Sequence, residues 1–457
     1  MNTIRILFFN KDKGGVNYFR TETPAVELNN QFSDVFNVNI KNNLKGKTKD
    51  EIVEELSNYD IIHYHRTFVN NTALNAEIMK DLKSKGIKLI LDIDDYWELD
   101  RTHPLYLHSI NLGLKENTIQ NIKDSDYVTT TTEVFKREIE KYNPNVFVLF
   151  NSVNPEQQPQ FRDNNKFDRK VVNITYIGGS SHLYDLEILR GVTNILKSDN
   201  TIKNKFKIVL GGFDTNGTID EKQINPDFIK ILKMLNLYNN NIMNQVKKYN
   251  GDINKIKEIP QNVKDIFKNG IFKVTKRNIK PNESVYYKYE NILTDNYNLI
   301  NDNQEYFNYL NKFVKDKYVN EDDVQYIRRW TCKPNEYAKI LDETDILIAP
   351  LLDTKFNNMK SNLKQLEAST RKLPIVCSDV VPYNVDGNNS NCILIKHKKN
   401  QEKDWAKALK KLILDSDLRK ELGNNLYNDF NNKYNLINVT KSRADLYKMI
   451  VNNTVYV

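Results

Sequence analysis

Four charged side chains in the last third of the chain could act on one ligand. Lys360, Lys364, Glu367 and Arg371 fall at i, i+4, i+7 and i+11, so a helix carrying them lines all four along one stripe. Leu363, Leu366 and Thr370 occupy the adjacent face and can pack on a sheet. Buried-strand runs flank the helix, Asp345–Pro350 before it and Pro374–Ser378 after it. The unit 345–378 therefore reads strand, polar loop, helix, strand. It directs two cations and a carboxylate into the crevice beyond a parallel strand's carboxyl end, where open α/β sheets bind ligands. That set suits a ligand with phosphates and hydroxyls. One such lysine alone would be an ordinary solvated charge; the whole unit outweighs that reading.

Other constellations lie at strand ends. Gly178, Gly179 and Ser180 follow the run Val171–Ile177, with His182 and Asp185 next; glycines there let backbone amides approach a phosphate. Lys13, Gly14, Gly15 and Val16 follow the first run, ahead of Tyr18, Phe19 and Arg20. They lack the Gly-Lys-Ser/Thr ending of a P-loop and the G-x-G-x-x-G of a dinucleotide fingerprint, and a plain turn competes. Asp92-Ile93-Asp94-Asp95 ends another buried run, with His103 beyond. These carboxylates could orient an acceptor hydroxyl, bind a divalent ion or cap the next helix. His63 and His65 share one side of a strand but have no third ligand nearby in sequence, which argues against a metal.

Composition bounds the rest. A chain of 457 residues exceeds one core and fits two α/β domains. Net charge is +8, with lysine spread along the whole length; that implies tolerance of polyanions and not a dedicated nucleic-acid arm. Three cysteines form no even framework and have no metal spacing, so a reducing, cytoplasmic location is expected. No signal peptide and no transmembrane segment is expected either. Strand runs Ile4–Phe9, Asp60–His65, Ile87–Ile93, Tyr127–Thr131 and Val146–Phe150 alternate with helical stretches such as Ala73–Lys85 and Glu133–Tyr142, the pattern of a parallel sheet. A polar Pro-containing linker at 152–170 precedes a second alternating region. Residues 213–325 interrupt it with helix-rich sequence, including Ser284–Ile300 and Gln304–Lys315. The expected organisation is a first domain at 1–165, a second at 166–435 with the insertion at 213–325, and a C-terminal helix at 436–457.

The 345–378 unit resembles the donor-sugar site of the retaining, nucleotide-sugar-dependent GT-B glycosyltransferases (glycosyl transferases group one). The resemblance rests on Ile348-Ala349-Pro350-Leu351, on Glu367, on Leu373-Pro374-Ile375-Val376, and on a K-S-x-L-K-x-x-E pattern read as Lys360, Ser361, Leu363, Lys364 and Glu367. It implies an α/β, GT-B architecture: two Rossmann-like domains facing across a cleft, with a helical insertion in the second and the last helix crossing back to the first. It further implies that Glu367 meets the ribose hydroxyls, that amides at Lys360, Ser361, Asn362 and Leu363 meet the diphosphate, and that Lys364 neutralises phosphate charge. Gly14, Gly15, Gly178, Gly179 and Ser180 would lie near the phosphates, and Trp330 would sit near the base. Asp94, Asp95 and His103 would serve the acceptor, and Asn151 marks the hinge. The family's second glutamate is Met359 here, so Asp353 or Asn357 would take the sugar contact. The implied activity is sugar transfer from a nucleoside diphosphate sugar, UDP-sugar favoured, to a hydroxyl on a glycan, lipid-linked or protein acceptor. No tightly bound cofactor is implied, and a divalent metal is not required. A virus- or phage-type enzyme acting on hydroxymethylated DNA bases in a host cytoplasm keeps the chemistry and changes the acceptor. A non-catalytic nucleotide-sugar binding module is the alternative of another class.

Overall fold

The computed structural model describes residues 3–101, 103, 105–164, 169–179, 182–212, 218–249, 251–268, 270–278, 292–293, 326–329 and 332–452. The chain divides into two compact units, Met1–Phe213 with Lys288–Val457, and Asp214–Tyr287.

The first unit holds two six-stranded sheets. Strands β1 (Ile4–Phe9), β2 (Phe36–Lys41), β3 (Ile61–His65), β4 (Lys88–Asp92), β5 (Tyr127–Thr130) and β6 (Val146–Val148) run parallel in the order β2-β1-β3-β4-β5-β6. Residues on β1 alternate between two cores: Leu7 and Phe9 join Ile52, Ile78 and Leu82, whereas Ile6 and Phe8 join Ala25, Leu28 and Tyr447. A strand buried on both faces reads as a continuous apolar run, which is why these strands were legible. The second sheet comprises β7 (Val172–Ile177), β8 (Phe206–Gly211), β11 (Tyr326–Arg329), β12 (Ile346–Ala349), β13 (Ile375–Ser378) and β14 (Ile393–Ile395). Its order is β11-β8-β7-β12-β13-β14, again all parallel. This is GT-B architecture. Each sheet reverses direction once, between β1 and β3 and between β7 and β12, and ligands of open sheets bind at such switch points.

Helix Leu436–Asn452 packs on the first sheet through Ala444, Leu446, Tyr447 and Ile450. The Tyr447 hydroxyl lies 2.5 Å from Nδ1 of His63 on β3, and Nε2 of that histidine lies 2.9 Å from the Thr129 hydroxyl. Burial pushes His63 down to about 4, so it stays neutral, with both ring nitrogens hydrogen-bonded inside the fold.

The second unit contains β9 (Thr218–Ile224) and β10 (Phe272–Asn278), an antiparallel ribbon, and helices Pro226–Met234, Asn240–Lys248 and Gln261–Ile266. Asn225 and Asn239 cap the first two helices by accepting from the amides of Asp227 and Ile242. Phe228, Leu232, Ile242, Val246, Val263 and Phe267 form its own core. The insertion is thus helical with an added ribbon that its polar strands did not announce. Of the two expected helices further on, only Ile292 and Leu293 lie among the described residues, and both are helical; Gln304–Lys315 lies outside them.

Helix Ser416–Asn431 supports helix Leu363–Thr370 from behind, with Leu426 and Phe430 sharing a core with Leu366 and Ala368. A Cβ at Gly423 would lie 1.8 Å from the Lys372 carbonyl oxygen. Gly423→Ala is therefore expected to destabilise the fold by about 1–3 kcal/mol through overpacking, read as a lower midpoint in urea unfolding.

Candidate active site

The loops following β1, β4, β7 and β12 converge on a cleft between the two sheets. A cavity of about 1120 Å³ is walled on one side by Gly15, Phe19, Arg20, Asp94 and Asn151, and on the other by Gly178, Gly179, His182, Tyr337, Lys364 and Glu367. A smaller one of about 190 Å³ shares Asp94, Asn151, His182 and Lys364 and adds Asp95, Lys360 and Ser361. Glycine is required at the β7 loop: a Cβ on Gly178 would fall 2.1 Å from the Tyr176 hydroxyl.

Helix Leu363–Thr370 opens with no side-chain cap at Asn362. Among the described residues, the backbone amides of Ser361, Asn362, Leu363 and Lys364 have no acceptor, and Ser361, Leu363 and Lys364 line the cavities. Orphan amides with the helix dipole behind them form an anion site. Beside them, Lys364 Nζ donates to Glu367 Oε2 at 2.7 Å and the Tyr337 hydroxyl donates to Oε1 at 2.5 Å. Glu367 is fully buried. Burial, with Glu367 second, drives the Tyr337 phenol well above its ordinary value, so it remains a donor.

The opposite wall is organised by Arg20, which sits in a π-helical turn spanning Tyr18–Glu22. Its guanidinium, fully buried, makes two bonds to Asp92, at 3.0 and 2.6 Å, and also reaches the Leu149 carbonyl and Asn151 Oδ1. Burial pushes the Asp92 carboxyl up, but Arg20 and His63 outweigh it and hold the group well below the usual carboxylate range. Asp94 follows the same balance: burial raises it, whereas His65 at 2.9 Å and Arg66 at 3.6 Å bring it below that range. Asn151 then donates to the Ser361 hydroxyl at 2.9 Å, and Lys360 stands 3.5 Å from Asp95. His182 bonds Asp185 at 2.7 Å. Burial lowers His182, and it lowers His103 with Lys360 as the next cause.

Of the residues singled out in the sequence, Gly15, Asp94, Asp95, Gly178, Gly179, Lys360, Ser361, Leu363, Lys364 and Glu367 meet at these cavities. Gly14 turns its amide to Asp12. Asn357 donates to Asp185 and to the Leu352 carbonyl, and Asn362 is the helix N-cap, 3.4 Å from Asp386. His103 packs against the Phe356 ring at 5.2 Å. None of these four is a wall residue of the two cavities. Ser180 and Trp330 lie outside the described residues. The four-residue charged stripe needs correction. The helix begins at Leu363, so Lys360 belongs to the preceding turn, and Arg371 is buried behind the helix against Asp342 and the Gln160 carbonyl. Arg20 was noted in the sequence without a role; an arginine following a glycine-rich turn at a strand end was the available signal.

No protein-family model matches the chain, and neither does any curated protein. Solved structures do. A glycosyltransferase from Rickettsia africae aligns at 12% identity and TM-score 0.53, covering 99% of this chain and 100% of that one. Anabaena Alr3699/HepE, in complex with UDP and glucose, aligns at 9% and 0.53, covering 97% and 99%. An alpha-glucosyltransferase in complex with UDP and a 13-mer DNA containing a HMU base aligns at 13% and 0.51, covering 99% and 100%. These likenesses extend over nearly the whole chain and show the GT-B glycosyltransferase fold. Among the described residues no helix is long and apolar enough to cross a membrane.

The depressed Asp92 carboxyl has a consequence for stability. Its contribution is complete above the unfolded value of about 3.9 and is lost as pH falls through the lower folded value. Asp92→Asn leaves the buried Arg20 uncompensated, an expected loss of about 3–5 kcal/mol at pH 7. It should also flatten the fall in stability on acidification below pH 4. Urea titrations at pH 7 and pH 3 read both effects.

Proposed function

We propose that the protein is a glycosyltransferase that moves a sugar from a nucleoside diphosphate sugar, with UDP-sugar favoured, to a hydroxyl acceptor with retention of the anomeric configuration. The observation that carries this reading is the unsatisfied amino end of helix Leu363–Thr370, with Lys364 and the buried Glu367 beside it in the cleft wall. The amides of Ser361–Lys364 take diphosphate oxygens, and the Lys364 ammonium neutralises charge that grows as the sugar–phosphate bond breaks. Glu367 accepts from ribose hydroxyls in exchange for its bonds to Tyr337 and Lys364. Such preorganised donors act mainly by electrostatics in a water-poor cleft. Gly15, Gly178 and Gly179 let backbone come close to the phosphates. The smaller cavity, with Asp94, Asp95, Lys360 and His182, suits the transferred sugar and the incoming hydroxyl. UDP in the Anabaena and alpha-glucosyltransferase structures supports the donor choice, and retention rests on the motif resemblance.

Hydroxymethylated DNA bases are the second acceptor reading, supported by the net charge of +8 and by the DNA in the alpha-glucosyltransferase complex. Tight, salt-sensitive binding to duplex DNA is its mark.

A thermal-shift panel of UDP-, GDP-, ADP- and TDP-sugars is the first test. A donor at 100 times its Kd stabilises by about 2.7 kcal/mol, and silence across the panel would sink the reading. Lys364→Ala is expected to lower turnover by on the order of 10²–10³, with Glu367→Ala weakening donor binding about tenfold or more. Unchanged turnover in both variants would place the site elsewhere. A donor shift without transfer or hydrolysis would leave a nucleotide-sugar binding module.

A further inference from the structure

Read along the chain, lysine looks evenly spread, but the compact units separate it. Residues 214–287, the second unit, carry thirteen Lys and Arg against eight Asp and Glu, a net +5 of the chain's +8. The fold explains why this charge faces outward. Each helical region buries one apolar pair four residues apart, Phe228/Leu232, Ile242/Val246 and Val263/Phe267, which leaves the lysines to the opposite faces. Lys230, Lys233, Lys247, Lys248, Lys257, Lys268 and Lys273 are exposed, and among the described residues none lies within ion-pair distance of a carboxylate; Lys255 pairs with Asp252 at 3.2 Å. Asp227, Glu258 and Asp265 are exposed on the same unit, but the exposed lysines outnumber them.

The neighbours of these lysines narrow the partner. Lys233 Nζ stands 5.1 Å over the exposed Tyr238 ring, and Lys248 Nζ 5.4 Å over Tyr249. Exposed amide side chains of Asn239, Asn240, Asn241 and Asn244 follow in sequence. Cations neutralise phosphates, amides hydrogen-bond to them, and tyrosines offer stacking faces, the combination found on nucleic-acid surfaces. We propose that the exposed lysine surface of this unit, carried by Lys230, Lys233, Lys247, Lys248, Lys257, Lys268 and Lys273, is a docking surface for the phosphate backbone of a nucleic acid. The proposal deepens the DNA-acceptor reading by naming the surface that would hold the duplex; because its test contains no sugar donor, its failure is distinct from failure of the sugar-transfer reading.

The test is fluorescence anisotropy of the full chain with a labelled DNA duplex of about 20 base pairs, between about 50 and 200 mM salt. Binding is expected to weaken with log salt by a slope of about −0.9 per phosphate neutralised. Lys230→Gln, Lys233→Gln, Lys247→Gln and Lys248→Gln combined should flatten that slope and weaken binding about tenfold or more, with the melting temperature and any UDP-sugar shift unchanged. Should that variant melt early, Lys257→Gln, Lys268→Gln and Lys273→Gln combined carry the same expectation. The proposal is overturned if the wild-type chain does not bind at low salt, or if the variants bind as it does. It is equally overturned if a sulfated polysaccharide competes as well as unlabelled duplex at equal charge, which would be general attraction between polyanion and lysine.

Discussion

Glu367 has no solvent exposure, yet it sits in the wall of the cleft cavity of about 1120 Å³. Taking a carboxylate out of water costs several kcal/mol unless partners replace the lost hydration. Two do so, Tyr337 at one oxygen and Lys364 at the other, and the Lys364 ammonium also lies 5.7 Å over the Tyr337 ring. Tyr337 comes from the segment between β11 and β12, whereas Lys364 and Glu367 come from the helix between β12 and β13. The register of the second sheet must therefore hold for the carboxylate to be tolerated at all. Fold and site share one constraint. A ligand that reaches Glu367 must replace a bond as good as the one it displaces, so on the proposed reading a sugar lacking its hydroxyl would leave the carboxylate unpaired and be rejected strongly.

The loop ahead of that helix joins the two sheets. Asn151 bonds Ser361, Lys360 stands near Asp95, and Lys355 bonds Glu138 at 2.9 Å while lying 4.8 Å over the Tyr96 ring. Phe356 and Met359 enter the first sheet's core beside Tyr96, Trp97 and Phe135. Met359 is the position at which the sequence departs from the glycosyltransferase pattern. In this setting a glutamate would place a carboxylate in an apolar cluster at high cost, so the methionine has a packing reason of its own. The contact couples the backbone ahead of helix Leu363–Thr370 to the carboxylates that follow β4.

The central strands were readable because burial on both faces removes polar residues from them. Edge strands keep water on one side and alternate, as in Phe36-Asn37-Val38-Asn39-Ile40-Lys41, and β2 was missed for that reason. Strand β11 was missed likewise: it too is the outermost strand of its sheet, and it has four residues. Spacing placed Lys364 and Glu367 on one helix, but spacing cannot say where a helix begins, and three residues of error moved Lys360 onto a turn. Nor can it show that Arg371 would find Asp342 and a carbonyl behind the helix. Arg20 depends on partners 72, 129 and 131 positions away, which only the folded sheet brings together. The charge of the insertion emerged only when a compact unit set its limits.

Two backbone departures from regular geometry flank the cleft carboxylates. Among the described residues, four non-glycine residues have positive φ. Asn236 and Asn400 are the residue type that tolerates it, and Lys372 follows the end of helix Leu363–Thr370, where a left-handed residue satisfies the last carbonyls. Arg66 has neither excuse. Its φ of 59° costs on the order of 1–2 kcal/mol, and it sets the guanidinium 3.6 Å from both Asp94 and Asp95. The π-helical turn at Tyr18–Glu22 plays a matching part, inserting an extra residue so that Arg20 can reach the ends of β4 and β6 at once. Strain of this kind persists only where surrounding contacts over-determine it. Here it stands on both sides of one group of aspartates, Arg66 against Asp94 and Asp95 and Arg20 against Asp92, and fixes their positions at the cleft.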